Sequence, residues 1–232
     1  MTEMLFSKKR RKELDESSNL IVMNKPSSIV SERFRSVRTN IQVTMNQQTL
    51  KTIIVTSADR FSGKSTVASN LALCFATQGK KVLLVDADLR SPAIHELYNV
   101  RNNDGLSKLL TDKESTLGET IYHNHFEGLS LLTSGVLPSN PAELLSSDRM
   151  LELIKEMEWK FDFIIFDMPP VLTVADVQVL SLVTDGVLFV IAKGKDNKEE
   201  VTQAKEILSN VQANVIGAIL NKTDRPEVKS FK

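Results

Sequence analysis

The sequence predicts an α/β domain with a mostly parallel central sheet and helices on both faces, and two observations predict it. Short apolar runs at 53–55, 82–85, 129–132, 163–166, 187–192 and 215–220 alternate with helical patterns. Such alternation requires right-handed crossovers that cover both faces of a parallel sheet. The first run also feeds a loop ending in Gly63-Lys64-Ser65-Thr66, followed at once by a helix with apolar Val67, Leu71, Ala72 and Phe75. Strand, loop, Gly-Lys-Ser and helix in that order form a phosphate-binding P-loop, so the predicted class is a P-loop NTPase.

Each part of that loop has a physical task. A helix N-terminus offers unpaired N–H groups and a positive dipole end to a phosphate. Ser62, Gly63, Lys64, Ser65 and Thr66 are the candidate nucleotide-binding residues. Gly63 permits close backbone approach, Lys64 reaches the β- and γ-phosphates, and the Ser65 hydroxyl ligates Mg²⁺. Two positions depart from the pattern: Ala58 replaces its first glycine, and Phe61 fills a place that is often small. The competing reading is a Gly-Lys-Ser-Thr that merely opens a helix.

Bulk properties exclude several classes. The 232 residues suffice for one large α/β domain, and 29 basic against 29 acidic residues give no global pull towards nucleic acid. The only cysteine, Cys74, lies on the apolar face of the helix after the P-loop and reads as a small core residue. No apolar run approaches the ~18 residues of a membrane span, and the N-terminus lacks the apolar core of a secretory signal. The expectation is a cytoplasmic protein, any membrane link of which runs through a partner or a surface contact.

Residues 1–19 are polar and charged and read as a mobile tail, with 20–232 as a single domain. Lys8-Lys9-Arg10-Arg11-Lys12 could touch anionic lipid, or form a solvated tail with the acidic residues that follow. Leu20–Met23 suggests a short edge strand. A helix is predicted from Ser28 to about Met45, with Glu32, Arg35 and Arg38 on one face at spacing i, i+3, i+6. That face reads either as surface salt bridges or as a self-complementary subunit contact.

Val82-Leu83-Leu84-Val85 delivers Asp86 and Asp88, then Arg90, to the carboxyl end of a second strand, where ligands of open parallel sheets bind. The two carboxylates either serve metal and proton chemistry or cap the next turn. Short helical pieces are expected at 94–98, 106–110 and 117–122, and His123 and His125 are read as surface residues of a loop. Asn140-Pro141-Ala142-Glu143 spells a capped helix start, with the helix running to about Trp159. Phe163-Ile164-Ile165-Phe166-Asp167 is a Walker B pattern, its Asp167 carboxylate suited to hold Mg²⁺ through water. Helix 174–184, strand 187–192, helix 198–211 and strand 215–220 complete the series. The last strand ends in Asn221-Lys222-Thr223-Asp224, which could hold guanine, terminate a strand, or use Asn221 to hydrogen-bond adenine.

Taken together, TSADRFSGKST, VDADLRSP, IIFDMPP, SERFRSVRTNI, GVLPSNPAELLSS and ILNK resemble the bacterial tyrosine kinases of capsular and exopolysaccharide synthesis, over residues 26–222. The form resembled is the one in which the kinase is a separate cytoplasmic chain. The resemblance implies a protein-tyrosine kinase dependent on ATP and Mg²⁺, on a fold like that of the cell-division and partitioning ATPases. It also implies a ring-shaped homo-oligomer built through Glu32, Arg35 and Arg38. The implied activator is the cytoplasmic tail of a membrane polysaccharide co-polymerase, which would hold the kinase at the inner face of the membrane; no nucleic acid is expected.

On this reading Lys64 neutralises the triphosphate, Ser65, Asp88 and Asp167 position Mg²⁺, and Asp86 accepts the proton of the incoming tyrosine hydroxyl. The family's C-terminal tyrosine cluster has no counterpart here, because the only tyrosines are Tyr98 and Tyr122. Either the chain is truncated, or it phosphorylates other proteins, or trans-autophosphorylation is lost. Two rivals keep the fold. One is a dimeric ATPase switch, disfavoured because Asp59 stands where such proteins carry a signature lysine. The other is a nucleotide-gated scaffold without catalysis.

Overall fold

The computed structural model describes residues 19–47 and 50–223. The basic cluster at 8–12 and Asp224 lie outside the described residues. The sheet has seven strands: β1 (Thr52–Ser57), β2 (Val82–Asp86), β3 (Tyr122–Phe126), β4 (Leu129–Leu132), β5 (Phe163–Asp167), β6 (Gly186–Ala192) and β7 (Val215–Asn221). Their spatial order is β3-β4-β2-β5-β1-β6-β7, and only the β3–β4 pair is antiparallel.

Ten helices are described: α1 (Ile21–Asn24), α2 (Ile29–Gln47), α3 (Lys64–Ala76), α4 (Ile94–Leu97), α5 (Leu106–Thr111), α6 (Leu117–Thr120), α7 (Pro141–Leu145), α8 (Asp148–Lys160), α9 (Asp176–Ser181) and α10 (Lys198–Asn210). The central strands are buried on both faces, and their side chains alternate between two cores. Ile53, Val55, Leu84 and Ile165 join Val67, Leu71 and Phe75 of α3. Ile54, Leu83, Ile164 and Phe166 join Leu153 and Met157 of α8 and Leu208 of α10. Cys74 sits wholly inside the first core, where burial pushes its thiol up to about 11.

Four sequence expectations are corrected. Leu20–Met23 leads into a helical turn rather than an edge strand: the Leu20 carbonyl accepts from Asn24 N at 2.9 Å, and Val22 N donates to Asn70 Oδ1 of α3 at 2.9 Å. A run of four apolar residues carries no period of its own, and contact with α3 decides its form. His123 and His125 belong to strand β3, not to a loop. Gly128, at φ 79°, turns the chain there, and a Cβ on it would lie 2.9 Å from the Lys80 carbonyl oxygen. The helix predicted from 141 to 159 is two helices, because Ser147 starts α8 by accepting from Met150 N at 3.3 Å. At Asn140 the predicted cap does not form; its Nδ2 donates to Glu143 Oε2 at 2.7 Å instead. A true capping box stands at Asn197 and Glu200.

Among the described residues, no helix is long and apolar enough to cross a membrane.

Candidate active site

Three adjacent strands deliver the chemistry. β1 ends in the P-loop, β2 ends in Asp86, and β5 ends in Asp167; β1 pairs with β5, and β5 with β2. Parallel pairing brings all three carboxyl ends to one edge of the sheet, as open α/β sheets do at ligand sites.

The P-loop turns through two left-handed residues, Phe61 at φ 62° and Gly63 at φ 88°. Gly63 is also forced by contact: a Cβ there would lie 2.3 Å from Asn221 Nδ2. No side chain caps the N-terminus of α3, so its first N–H groups remain available to an anion. Loops from the other end of the chain clamp the P-loop from behind. Asn221 Nδ2 donates to the Ser62 carbonyl at 2.9 Å, and Lys222 Nζ to the Phe61 carbonyl at 2.6 Å. Ser62 Oγ donates to Asp196 Oδ1 at 2.9 Å, and Asp196 Oδ2 accepts from Ala192 N at 2.7 Å. Lys195 Nζ stands 3.1 Å from Asp59 Oδ2.

Lys64 Nζ donates to Asp88 Oδ2 at 3.0 Å, while Asp88 Oδ1 accepts from Ser91 N at 2.9 Å. Asp86 Oδ2 accepts from Ala93 N at 3.0 Å and Ile94 N at 2.9 Å. Asp86 Oδ1 and both Asp167 oxygens are buried without a hydrogen-bond partner. Burial, reinforced by the charge of Asp167, pushes Asp86 up to about 8. Burial raises Asp167 to about 6, although the Lys64 charge pulls the other way. Burial works against the Lys64 ammonium, yet the charges of Asp167, Asp88 and Asp86 together hold its pKa above the usual value.

Buried carboxylate oxygens without partners call for a cation. Among the described residues no three His, Cys, Asp or Glu side chains form a metal cage. Mg²⁺ uses one or two carboxylates and completes its shell with water and phosphate oxygens. The orphaned oxygens belong to Asp86 and Asp167, whereas both Asp88 oxygens already accept, from Lys64 Nζ and Ser91 N.

A cleft of about 520 Å³ opens above this floor, lined among others by Phe61, Lys64, Ser65, Thr66 and Asp88. Asp86 and Asp167 are fully buried and do not line that cleft. Arg90 also lines the cleft, and its guanidinium grips Asp176 through Nε at 2.9 Å and Nη2 at 3.1 Å, a partner the sequence does not reveal. Asp176 opens α9 with its side chain wholly buried, and nothing local in either segment announces the pair. Glu32, Arg35 and Arg38 stand apart from the cleft on α2. Arg35 pairs with Glu32 and donates to the Pro26 carbonyl at 2.6 Å, while Arg38 Nη1 donates to the Cys74 carbonyl at 3.3 Å.

A family model described as an AAA domain matches residues 50–221. Tyrosine-protein kinase YwqD of Bacillus subtilis (strain 168) is 46% identical over 203 residues, which span 88% of this chain and 85% of that protein. The kinase domain of Escherichia coli tyrosine kinase ETK superposes with a TM-score of 0.85 at 33% identity, over 91% of this chain and 83% of that one. The septum site-determining protein MinD of Pyrococcus horikoshii OT3, solved with Mg-ADP, superposes with a TM-score of 0.63 at 26% identity, over 77% and 72% of the two chains. The fold is that of a P-loop NTPase.

Proposed function

The chain belongs to the bacterial tyrosine-protein kinases, and from that membership we propose that it moves the γ-phosphoryl group of ATP to protein tyrosines and so regulates capsular or exopolysaccharide synthesis. One observation carries the reading. Lys64, Asp86, Asp88 and Asp167 gather at the ends of three adjacent parallel strands, beneath a helix N-terminus that no side chain caps.

Lys64 and the N–H groups of the P-loop neutralise the triphosphate. Ser65, Asp88 and Asp167 would hold Mg²⁺, which would supply positive charge to the phosphate oxygens. Asp86 takes the proton as the tyrosine oxygen forms its bond to phosphorus and the bond to the ADP oxygen breaks. Free tyrosine titrates near ~10, so a carboxyl whose pKa lies near the working pH is a competent acceptor. Most of the acceleration comes from positioning and electrostatics, since phosphoryl transfer needs little covalent help.

A second assignment of the base has its own support. Asp88 lines the cleft, whereas Asp86 is fully buried and spends one oxygen on two backbone N–H groups. On that assignment Asp88 takes the proton and Asp86 positions the chain entering α4.

Neither tyrosine of the chain is held as a free acceptor. Tyr98 is fully buried with its hydroxyl 3.4 Å from the Ser69 carbonyl, and the Tyr122 hydroxyl donates to the Arg101 carbonyl at 3.0 Å. The activator in this proposal is the cytoplasmic tail of a membrane polysaccharide co-polymerase, and α2 supplies the contact of a homo-oligomeric ring at the inner face of the membrane. Asn221 contributes to nucleotide binding by bracing the Ser62 carbonyl.

The test mixes the chain with Mg·ATP, that tail and a tyrosine peptide, and reads phosphotyrosine by mass spectrometry. Lys64→Met abolishes the product. Between Asp86→Asn and Asp88→Asn, the variant that still binds Mg·ATP yet forms no phosphotyrosine identifies the base. ATP hydrolysis without phosphotyrosine would instead make the chain a nucleotide switch, and binding without hydrolysis a scaffold.

A further inference from the structure

Phe61 combines two unfavourable features. A bulky residue at positive φ is strained, and Phe61 stands at φ 62°. The residue is also 80% exposed. Packing does not compensate, since the ring belongs to neither core. The backbone beneath it is nevertheless held firmly, by Lys222 on its own carbonyl and by Asn221 on that of Ser62. Phe61 itself borders the cleft, together with Lys64 and Asp88. Leu97, Pro169 and Pro170 line the same cleft and add to its apolar surface.

We propose that Phe61 is a specificity residue for the acceptor, its ring packing against the aromatic ring of the tyrosine to be phosphorylated. The inference rests on the kinase reading above. Phe61 lies three residues before Lys64, so it stands beside the phosphate site, while Asn221 and Lys222 brace the loop from behind. An acceptor must bring its hydroxyl to the phosphoryl group that Lys64 neutralises. In tyrosine a whole ring separates that hydroxyl from the main chain, so the ring must lie across the rim of the cleft. Serine and threonine carry the hydroxyl directly on Cβ and have nothing to lay against an aromatic platform. Offset or edge-on ring contacts are favourable beyond the apolar area they bury. An acceptor ring laid on this aromatic covers its exposed face and offsets part of the strain.

The test uses the full chain with Mg·ATP, the activating tail and a synthetic peptide with a single tyrosine. Phe61→Gly folds, because glycine adopts the left-handed backbone freely. It raises the KM for the peptide about tenfold, with a smaller change in the KM for ATP. Phe61→Trp keeps an aromatic ring there and restores the peptide KM. A Phe61→Gly enzyme with the wild-type peptide KM, or one whose two KM values rise equally, overturns the inference while leaving the kinase assignment intact. A wild-type chain that forms no phosphotyrosine sinks the kinase assignment and this inference together.

Discussion

Asp86 and Asp167 stand opposite each other in register across the β2–β5 pair, both fully buried, and three of their four carboxylate oxygens have no hydrogen-bond partner. Two carboxylates so placed resist losing both protons, and a bound cation is what removes that resistance.

A pH dependence follows with a definite sign. Asp86 is raised to about 8 and Asp167 to about 6, above the ~3.9 of an unfolded aspartate. The folded state therefore holds these protons more tightly than the unfolded chain. The stability they contribute is complete below about pH 4 and lost as pH rises towards about 8. Without nucleotide and with a chelator present, Asp167→Asn is expected to stabilise the protein by roughly 1–3 kcal/mol at pH 8 and hardly at all at pH 4. Thermal melts at the two pH values check this, and an equal effect at both would refute it.

Gly63→Ala meets two obstacles at once, a backbone at φ 88° and Asn221 Nδ2 at 2.3 Å from the new Cβ. It is expected to cost about 1–3 kcal/mol of stability and to weaken nucleotide binding. Adding Asn221→Ala removes the clash but not the strain, so affinity returns only in part. Titration with a fluorescent ATP analogue decides, and full recovery in the double variant would show that backbone conformation plays no part.

Arg90→Ala leaves the Asp176 carboxylate buried without its partner. Because the Arg90 side chain is 39% exposed, water relieves part of the cost, and about 2 kcal/mol is expected. Urea unfolding measures it. Replacing both residues with apolar ones of similar size should recover most of the loss, and a double variant as unstable as Arg90→Ala would contradict the pairing argument.

Arg35→Ala tests the proposed ring contact more cleanly than Arg38→Ala. Arg35 touches Glu32 and the Pro26 carbonyl, whereas Arg38 also ties α2 to the Cys74 carbonyl of α3. The expected outcome is a fall in mass towards the single chain by light scattering, with an unchanged melting temperature. An unchanged mass would return Glu32 and Arg35 to a surface pair.

What the sequence alone determined is whatever a short segment states about itself. Short continuous apolar runs announced β1, β2, β4, β5, β6 and β7, and the ends of three of them announced Lys64, Asp86, Asp88 and Asp167. Local period misled where it was too short, at Leu20–Met23, or too polar, at β3, and it could not see the break at Ser147. Tertiary structure alone decided how the P-loop is held and what Arg90 grips. Ser62 meets Asp196 across 134 positions of sequence and Asn221 across 159. Arg90 meets Asp176 across 86. The physical reason is that strand order brings distant loops to one edge of the sheet, and a segment cannot encode by itself which distant loop will lie beside it.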